Sequence, residues 1–189
     1  MEKSKVTIHM VSSLDGFIAK KDGDVSWFQS TDTYQKGVTL TEDEITAFLD
    51  NIDCYVIGSK TYELALELGW PYEDTPVIVL TRRNLTSDKT TVEFYSGDLE
   101  ELVNRKLKPK YQNIWMGGGA NLTKEFLLLQ LADDIIVSIM PIILGEGTLF
   151  FDYVGIEQKL HLKDVTAYKD GMVELWYEIK KDRNTEVFD

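Results

Sequence analysis

The sequence predicts one α/β domain over residues 1–182, with a mostly parallel central sheet, helices on both of its faces and an antiparallel hairpin at the C-terminus. Short apolar segments alternate with helical segments through the middle of the chain, a pattern typical of a parallel sheet with crossover helices. Several apolar segments end in glycine directly before a helix. Near the C-terminus, Asp170 and Gly171 separate two alternating segments and give a strong hairpin signal. Residues 183–189 are expected to form a frayed tail.

The first predicted strand covers residues 6–11, where apolar and polar side chains alternate. This alternation places His9 on the face opposite Val6 and Ile8, where we expect a half-buried strand residue. A polar turn around Asp15 then interrupts the strand, and a second apolar segment follows at residues 17–19. Polar side chains at the end of a central strand are well placed to face a ligand.

A long polar connection over residues 20–41 leads to the first predicted helix. Connections of this length are usually functional lids or disordered segments, and aromatic residues within this one favour a packed loop. Thr41 and Glu44 form a capping-box pattern, which predicts a helix start, and the helix should end near Asn51. The aromatic loop residues are Trp27, Phe28 and Tyr34, and the helix is expected to bury Ile45, Phe48 and Leu49.

The remaining segments repeat the order of strand, polar or glycine turn, and helix. Predicted strands cover residues 54–57, 77–80, 92–95, 114–116 and 134–140, predicted helices cover 62–68, 98–107 and 121–131, and the hairpin strands cover 160–169 and 172–180. In a parallel sheet the carboxyl ends of the strands meet at one edge, which is where open α/β sheets bind their ligands. We therefore expect one binding site at that edge.

Three of these turns have residues suited to holding phosphate. Gly117, Gly118 and Gly119 precede a helix, so backbone N–H groups and a positive helix end are available without side chains in the way. Lys60 and two hydroxyl groups lie in the turn after residues 54–57. The adjacent pair Arg82 and Arg83 follows residues 77–80, and guanidinium groups match phosphate oxygens.

Charge and composition exclude several other functions. The net charge is −12, from 20 basic and 32 acidic residues, which argues against a nucleic-acid or anionic-membrane partner. No apolar segment reaches the roughly 18 residues of a membrane span, and the N-terminus has no signal-peptide pattern. The single cysteine, Cys54, allows neither an internal disulfide nor a thiol cluster for a metal. We expect a cytoplasmic protein without a metal site.

Five motifs in order give the chain a family resemblance. They are SLDGFIA at 13–19, VIGSKTYE at 56–63, VIVLTRR at 77–83, WMGGGANL at 115–122 and PIILGEGTLF at 141–150. With them the chain resembles the dihydrofolate reductase fold and, within it, the reductase domain of the riboflavin-biosynthesis deaminase–reductase proteins (the RibD C-terminal domain) and their stand-alone relatives. The zinc signature of a deaminase is absent from the sequence, so a stand-alone reductase is expected.

The resemblance implies NADPH as the cofactor and a small heterocyclic or carbonyl compound as the substrate. Arg82 or Arg83 would pair with the 2′-phosphate, which favours NADPH over NADH. The implied cofactor-binding residues are Gly58, Ser59, Lys60, Thr61, Leu80, Thr81, Arg82, Arg83, Gly117, Gly118, Gly119, Ala120, Asn121 and Leu122. The implied substrate and lid residues are Ser13, Trp27, Phe28, Leu144, Gly145 and Glu146. Asp15 and Asp24 are the candidate catalytic acids.

Several functional hypotheses stay open from the sequence. A reductase acting on a pterin-like or ribosylaminopyrimidine-like compound is favoured, and a true dihydrofolate reductase is the first alternative. A non-catalytic NADPH-binding protein and a plain structural domain are the others. The resemblance also implies a homodimer that pairs through edge strands, since an uncovered sheet edge invites a partner.

Overall fold

Eight strands form one sheet at the centre of the computed structural model, which describes residues 3–181. The strands are β1 (Lys5–Ser13), β2 (Phe17–Ala19), β3 (Cys54–Gly58), β4 (Val77–Leu80), β5 (Val92–Tyr95), β6 (Asn113–Met116), β7 (Asp134–Met140), β8 (Thr148–Leu149), β9 (Leu160–Ala167) and β10 (Val173–Ile179). The helices are α1 (Glu42–Asp50), α2 (Ser59–Glu67), α3 (Leu99–Glu101) and α4 (Ala120–Leu128). A π-helical segment, Leu102–Leu107, continues α3, and a 3-10 turn covers Ser26–Phe28.

The sheet confirms the predicted α/β architecture. Its strand order is β5-β4-β3-β6-β1-β7-β10-β9, and the first six strands are parallel. The last two strands form the predicted hairpin, with β10 antiparallel to β7 and β9 at the edge. β2 and β8 form a separate two-stranded sheet. Because β1, β3, β4, β5 and β6 are parallel, their C-terminal ends lie at the same edge of the sheet.

Each face of the sheet has its own apolar core. On the first face, Val6, Ile8 and Met116 pack against Phe126 of α4 and the π-helical segment. On the second face, a smaller cluster built on β3 and β4 packs against Tyr62 of α2. Alternation along the strands explains the division, since successive side chains point to opposite faces.

The prediction that α1 buries its apolar face is wrong. Ile45, Phe48 and Leu49 are 43%, 45% and 42% exposed, and no residue of α1 is buried. Phe48 does contact Trp115, with ring centroids 5.0 Å apart. The amphipathic spacing correctly predicted a helix, but spacing does not indicate whether another element covers the apolar side. The predicted tail, residues 183–189, lies outside the described residues.

The long connection before α1 is tied to the C-terminal hairpin. The backbone N–H of Tyr34 donates to the carbonyl of Lys169 at 2.7 Å, and Val38 forms a bridge with Tyr168. Trp27 of this segment is buried, whereas Tyr34 is 44% exposed, so the predicted packed loop is packed only in part. None of the helices within residues 3–181 is long and apolar enough to cross a membrane.

Candidate active site

A groove of about 1370 Å³ runs along the edge where the parallel strands end. It is bordered by β1, the turns after β3 and β6, and the ends of β4 and β5. Thirteen of the residues predicted for the site line it: Phe28, Gly58, Ser59, Lys60, Thr61, Leu80, Thr81, Arg82, Gly117, Gly119, Ala120, Asn121 and Leu122. Glycine turns that are far apart in the chain thus meet in one groove. Of the predicted substrate and lid residues only Phe28 lines it; the others, Ser13, Trp27, Leu144, Gly145 and Glu146, do not.

Two of the helices that begin at the groove, α2 and α4, have no side-chain cap. The N-cap of α2 is Gly58 and that of α4 is Gly119, and no capping side chain among the described residues accepts a hydrogen bond from either helix start. By contrast, α1 is capped by Thr41 and α3 by Asp98. The first N–H groups of a helix have no partner within it. The backbone donors of α2 and α4 are therefore available to an anion in the groove.

Gly118 brings the two glycine turns together. Its carbonyl accepts a hydrogen bond from the N–H of Gly58 at 3.1 Å, and a cis peptide bond joins it to Gly119. The φ angle of Gly118 is +94°, and a Cβ there would lie 2.5 Å from Sδ of Met10. Glycine therefore suits both the backbone conformation and the space at this position.

The two adjacent arginines have different surroundings. Arg82 lines the groove. Arg83 does not line the groove, and one of its guanidinium nitrogens lies 2.6 Å from Oε1 of Glu63, which does. This hydrogen bond and the charge of Glu63 raise the pKa of Arg83. Of the two arginines, Arg82 is the one positioned to contact an anion in the groove.

The groove does not carry an overall positive charge. Five acidic and three basic side chains line it: Asp22, Glu63, Glu67, Glu125 and Asp152, with Lys21, Lys60 and Arg82. Attraction for phosphate must come from the uncapped helix ends, Lys60 and Arg82 rather than from a general field.

Asp15 holds two loops together instead of facing the groove. Its carboxylate accepts hydrogen bonds from Oγ of Ser13 at 2.6 Å, from N of Gly145 at 2.7 Å and from N of Leu144 at 3.1 Å. The bond from Ser13 is the main cause of its lowered pKa. A carboxyl group that stays ionised at neutral pH is poorly suited to donating a proton. The geometry thus assigns Asp15 a structural role.

Asp24 also serves a local turn. Its carboxylate lies 2.6 Å from Nζ of Lys20 and accepts hydrogen bonds from Ser26. The bond from Lys20 is the largest cause that lowers the pKa of Asp24 to about 2. Trp27, one of the predicted lid residues, is only 7% exposed, and its indole N–H donates to the carbonyl of Asp24. Neither residue is among those that line the groove.

Glu146 forms an ion pair with Lys21, which lines the groove. Both side chains are about two-thirds exposed, so the pair contributes little to stability. Next to it, Gly147 lies against the backbone of Ala19, where a Cβ would overlap the carbonyl oxygen. The predicted substrate residues of this loop, residues 144–146, therefore do not line the groove, and the residues that follow them, 147–149, line it instead.

Sequence reasoning missed the importance of His9. It lines the groove, and its ring lies 4.9 Å from that of Trp115, which also lines it. Nε2 of His9 is 3.1 Å from Oγ of Ser138, and burial lowers the pKa of His9 to about 4. The alternation in β1 did place His9 opposite the main core. The sequence held no indication that Trp115 and Ser138 would be its neighbours. Among residues 3–181, no three His, Cys, Asp or Glu side chains cluster as metal ligands.

Comparisons with known proteins agree with this architecture. A protein from Shewanella sp. PV-4 named for riboflavin biosynthesis superposes with a TM-score of 0.78 at 24% identity, covering 94% of this chain and 99% of that one. The deaminase/5-amino-6-(5-phosphoribosylamino)uracil reductase of Thermotoga maritima gives 0.67 at 18%, covering 94% of this chain and 57% of that one. Dihydrofolate reductase from Enterococcus faecalis, complexed with NADP(H), gives 0.58 at 16%, covering 95% and 99%. At these identities the superpositions show the fold.

Sequence comparison identifies the family. The uncharacterized protein YwjB of Bacillus subtilis (strain 168) is 29% identical over 175 residues, which cover 92% of this chain and 97% of that protein. YyaP of the same organism is 27% identical over 191 residues, covering 94% and 96%. The RibD C-terminal domain family matches residues 4–174. Because this match spans nearly the whole described chain, the protein belongs to the RibD C-terminal domain family.

Proposed function

We propose that the protein is an NADPH-dependent oxidoreductase that reduces a small heterocyclic or carbonyl compound, either pterin-like or ribosylaminopyrimidine-like. The observation that carries this proposal is the pair of uncapped helix starts, α2 and α4, which share one groove with Arg82. A dinucleotide has a pyrophosphate for such helix ends and, in NADPH, a further phosphate on the adenosine ribose for a guanidinium group.

The order of these residues along the groove matches the order of the phosphate groups in this cofactor. Gly119 has open space where a Cβ would stand, so a pyrophosphate can approach the start of α4 closely. The turn after β3 lies beside it, joined through the hydrogen bond from Gly58 to Gly118. Arg82, at the end of β4, lies two strands away from β6 in the sheet. We therefore assign Arg82 to the 2′-phosphate and the N-terminus of α4 to the pyrophosphate.

In this assignment NADPH, when bound, supplies the hydride. The protein has to hold the cofactor and a planar substrate in contact and keep water out. Phe28 and Trp115 supply aromatic surface on the groove for such a substrate. Asp15 has an indirect, positioning role, because its three hydrogen bonds hold the loop that places Gly147 at the groove.

Two other functions remain as alternatives. A true dihydrofolate reductase is supported by the likeness of fold to the Enterococcus faecalis enzyme. It predicts turnover of dihydrofolate. A non-catalytic binding protein predicts stabilisation by NADPH without oxidation of NADPH in the presence of any heterocycle in the panel.

The proposal is tested by thermal shift and by NADPH oxidation in parallel. NADPH at 100 times its dissociation constant should stabilise the fold by about 2.7 kcal/mol. NADH should do so only at higher concentration. Arg82→Ala should weaken NADPH binding by roughly 10-fold to 100-fold, since charge-assisted hydrogen bonds are lost, and should leave NADH binding unchanged. Arg105→Ala is the matched control, because Arg105 is exposed and does not line the groove, whereas Arg83→Ala would leave the groove-lining Glu63 unpaired. Absence of any shift with either nucleotide would refute the proposal.

We also propose that the protein is a cytoplasmic homodimer with no nucleic-acid partner. The physical basis for a dimer is the edge strand β9, on which Leu160, Leu162 and Val165 are 43%, 48% and 51% exposed. An uncovered edge with apolar side chains favours pairing with a second strand. Gel filtration with light scattering gives the oligomeric state, and a monomer at micromolar concentration would count against this part of the proposal.

A further inference from the structure

A chain of polar side chains crosses the sheet from the groove to the C-terminal hairpin. His9 on β1 contacts Ser138 on β7, with 3.1 Å between Nε2 and Oγ. Ser138 in turn donates to Oε2 of Glu174 on β10 at 3.0 Å. Register explains the alignment, because Ser138 is paired with Val11 on one side and with Glu174 on the other, so these side chains share a face.

The carboxylate of Glu174 determines the direction of each hydrogen bond between these side chains. An ionised carboxylate can only accept, so the single hydroxyl proton of Ser138 goes to Glu174. The other carboxylate oxygen faces the hydroxyl of Tyr168 at 3.4 Å. Oγ of Ser138 must then accept from His9, which requires the proton on Nε2. In the neutral ring this leaves Nδ1 as a hydrogen-bond acceptor.

Among the three hydrogen-bonded side chains, Nδ1 of His9 is the atom that is available to accept a hydrogen bond from a ligand. Within residues 3–181, the hydrogen bonds of His9 involve only Nε2, and Nδ1 is not among the buried polar atoms that lack a partner. The side chain is 27% exposed and lines the groove. Burial lowers the pKa of His9 to about 4, and Glu174, 4.0 Å away, is the charged group that faces it. At neutral pH the ring is thus uncharged, and Nδ1 keeps a lone pair that can accept a hydrogen bond.

We propose that this end of the groove recognises the N–H edge of a planar, unphosphorylated heterocycle, with Nδ1 of His9 as the acceptor and Trp115 as the flat surface beside it. The inference rests on the proposed function and narrows its substrate class. An acceptor nitrogen backed by a carboxylate favours a hydrogen-bond donor and disfavours a phosphate. The cations of the groove are committed elsewhere: Lys60 and Arg82 lie at α2 and β4, and Lys21 is paired with Glu146.

The first test is the tautomer, which needs no ligand. With ¹⁵N-histidine labelling, the full chain should show a neutral His9 that carries its proton on Nε2 at pH 7. Ser138→Ala removes the acceptor, so the same ring should shift toward a mixture of the two tautomers. A proton on Nδ1 in the wild-type protein overturns the proposal. His161, the other histidine, is assigned by its own substitution, His161→Gln.

The second test measures binding to the NADP⁺-saturated protein. The probes are pterin and a derivative that carries one methyl group on N3 and two on the 2-amino nitrogen, so that no N–H is left on that edge. The wild-type protein should bind pterin about tenfold more tightly than the derivative, as expected for one hydrogen bond to a desolvated acceptor. His9→Phe should lose that preference and keep the same affinity for NADPH. Should His9→Phe fail to fold, Ser138→Ala replaces it, with a reduced preference expected.

A third pair of probes tests the phosphate directly. 5-Amino-6-(ribosylamino)uracil should bind more tightly than its 5′-phosphate, which differs only by the anion. Equal binding of pterin to the wild-type protein and His9→Phe overturns the inference. So does tighter binding of the phosphorylated probe, or no binding of any N–H-bearing heterocycle to the NADP⁺ complex. Failure of NADPH itself to bind would instead refute the proposed function, because the tautomer of His9 is measured independently of the cofactor.

Discussion

His9 should make the stability of the protein depend on pH in a range where few other groups titrate. Burial lowers its pKa from 6.5 to about 4. The unfolded chain therefore takes up a proton near pH 6.5, whereas the folded chain does so only near pH 4. The contribution of the neutral His9 to the free energy of unfolding is therefore fully present above pH 6.5 and is lost as the pH falls from there toward 4. The perturbation that removes this effect is His9→Gln, which is neutral at every pH.

The size of the effect follows from the two pKa values. The full difference corresponds to about 3 kcal/mol, and about 2 kcal/mol of it should already be lost at pH 5. The assay is urea unfolding of the wild-type protein and of His9→Gln at intervals from pH 7.5 to 4.5. Contributions from carboxyl groups are common to both proteins, so the difference between the two free energies isolates His9.

Two outcomes would refute this reasoning. One is a difference between the wild-type protein and His9→Gln that does not change with pH. The other is a His9 titration midpoint near 6.5 in the folded protein, which would mean that the Glu174 carboxylate, 4.0 Å from Nε2, offsets the effect of burial. His161→Gln is the control, because His161 is exposed on β9 and its substitution should leave the pH dependence in place.

Three other substitutions test the structural assignments. Asp24→Asn should leave NADPH-dependent turnover unchanged, because Asp24 does not line the groove, and a loss of turnover measured by NADPH oxidation would identify it as the acid after all. Gly118→Ala should cost at least about 1–2 kcal/mol in urea unfolding, because its φ is +94° and its Cβ would also lie 2.5 Å from Sδ of Met10. Gly119→Ala, with φ of −91° and no neighbouring atom within 4 Å, should be neutral for stability. Val165→Lys on β9 should shift a dimer toward monomer in light scattering, and an unchanged mass would place the interface elsewhere.

The features that the sequence predicted well are those set by local pattern and topology. Alternation and helical spacing predicted the strands and helices. Parallel connections then required that the turns after β3, β4 and β6 meet at one edge, which the structure confirms. The residues predicted for the cofactor therefore mostly line the groove, and their role in binding NADPH stays a prediction.

What the sequence did not predict depends on contacts between distant segments. Asp15 and Asp24 were the candidate catalytic acids in the sequence. In the structure Asp15 accepts hydrogen bonds from Leu144 and Gly145, and Asp24 is paired with Lys20, so both carboxylates stabilise loops. Arg82 and Arg83 were equivalent in the sequence, and only the position of Glu63 on α2 separated them.

The sequence by itself therefore determined the α/β architecture, the edge of the sheet that holds the groove, and the glycine turns that leave backbone donors free. These follow from periodicity and from backbone chemistry, which are local. Tertiary structure alone decided that α1 leaves its apolar side uncovered and that His9, Ser138 and Glu174 form one chain of hydrogen bonds. Those outcomes depend on which side chains from remote strands share a face, and a protonation state or a hydrogen-bond direction is defined only once such neighbours are in place.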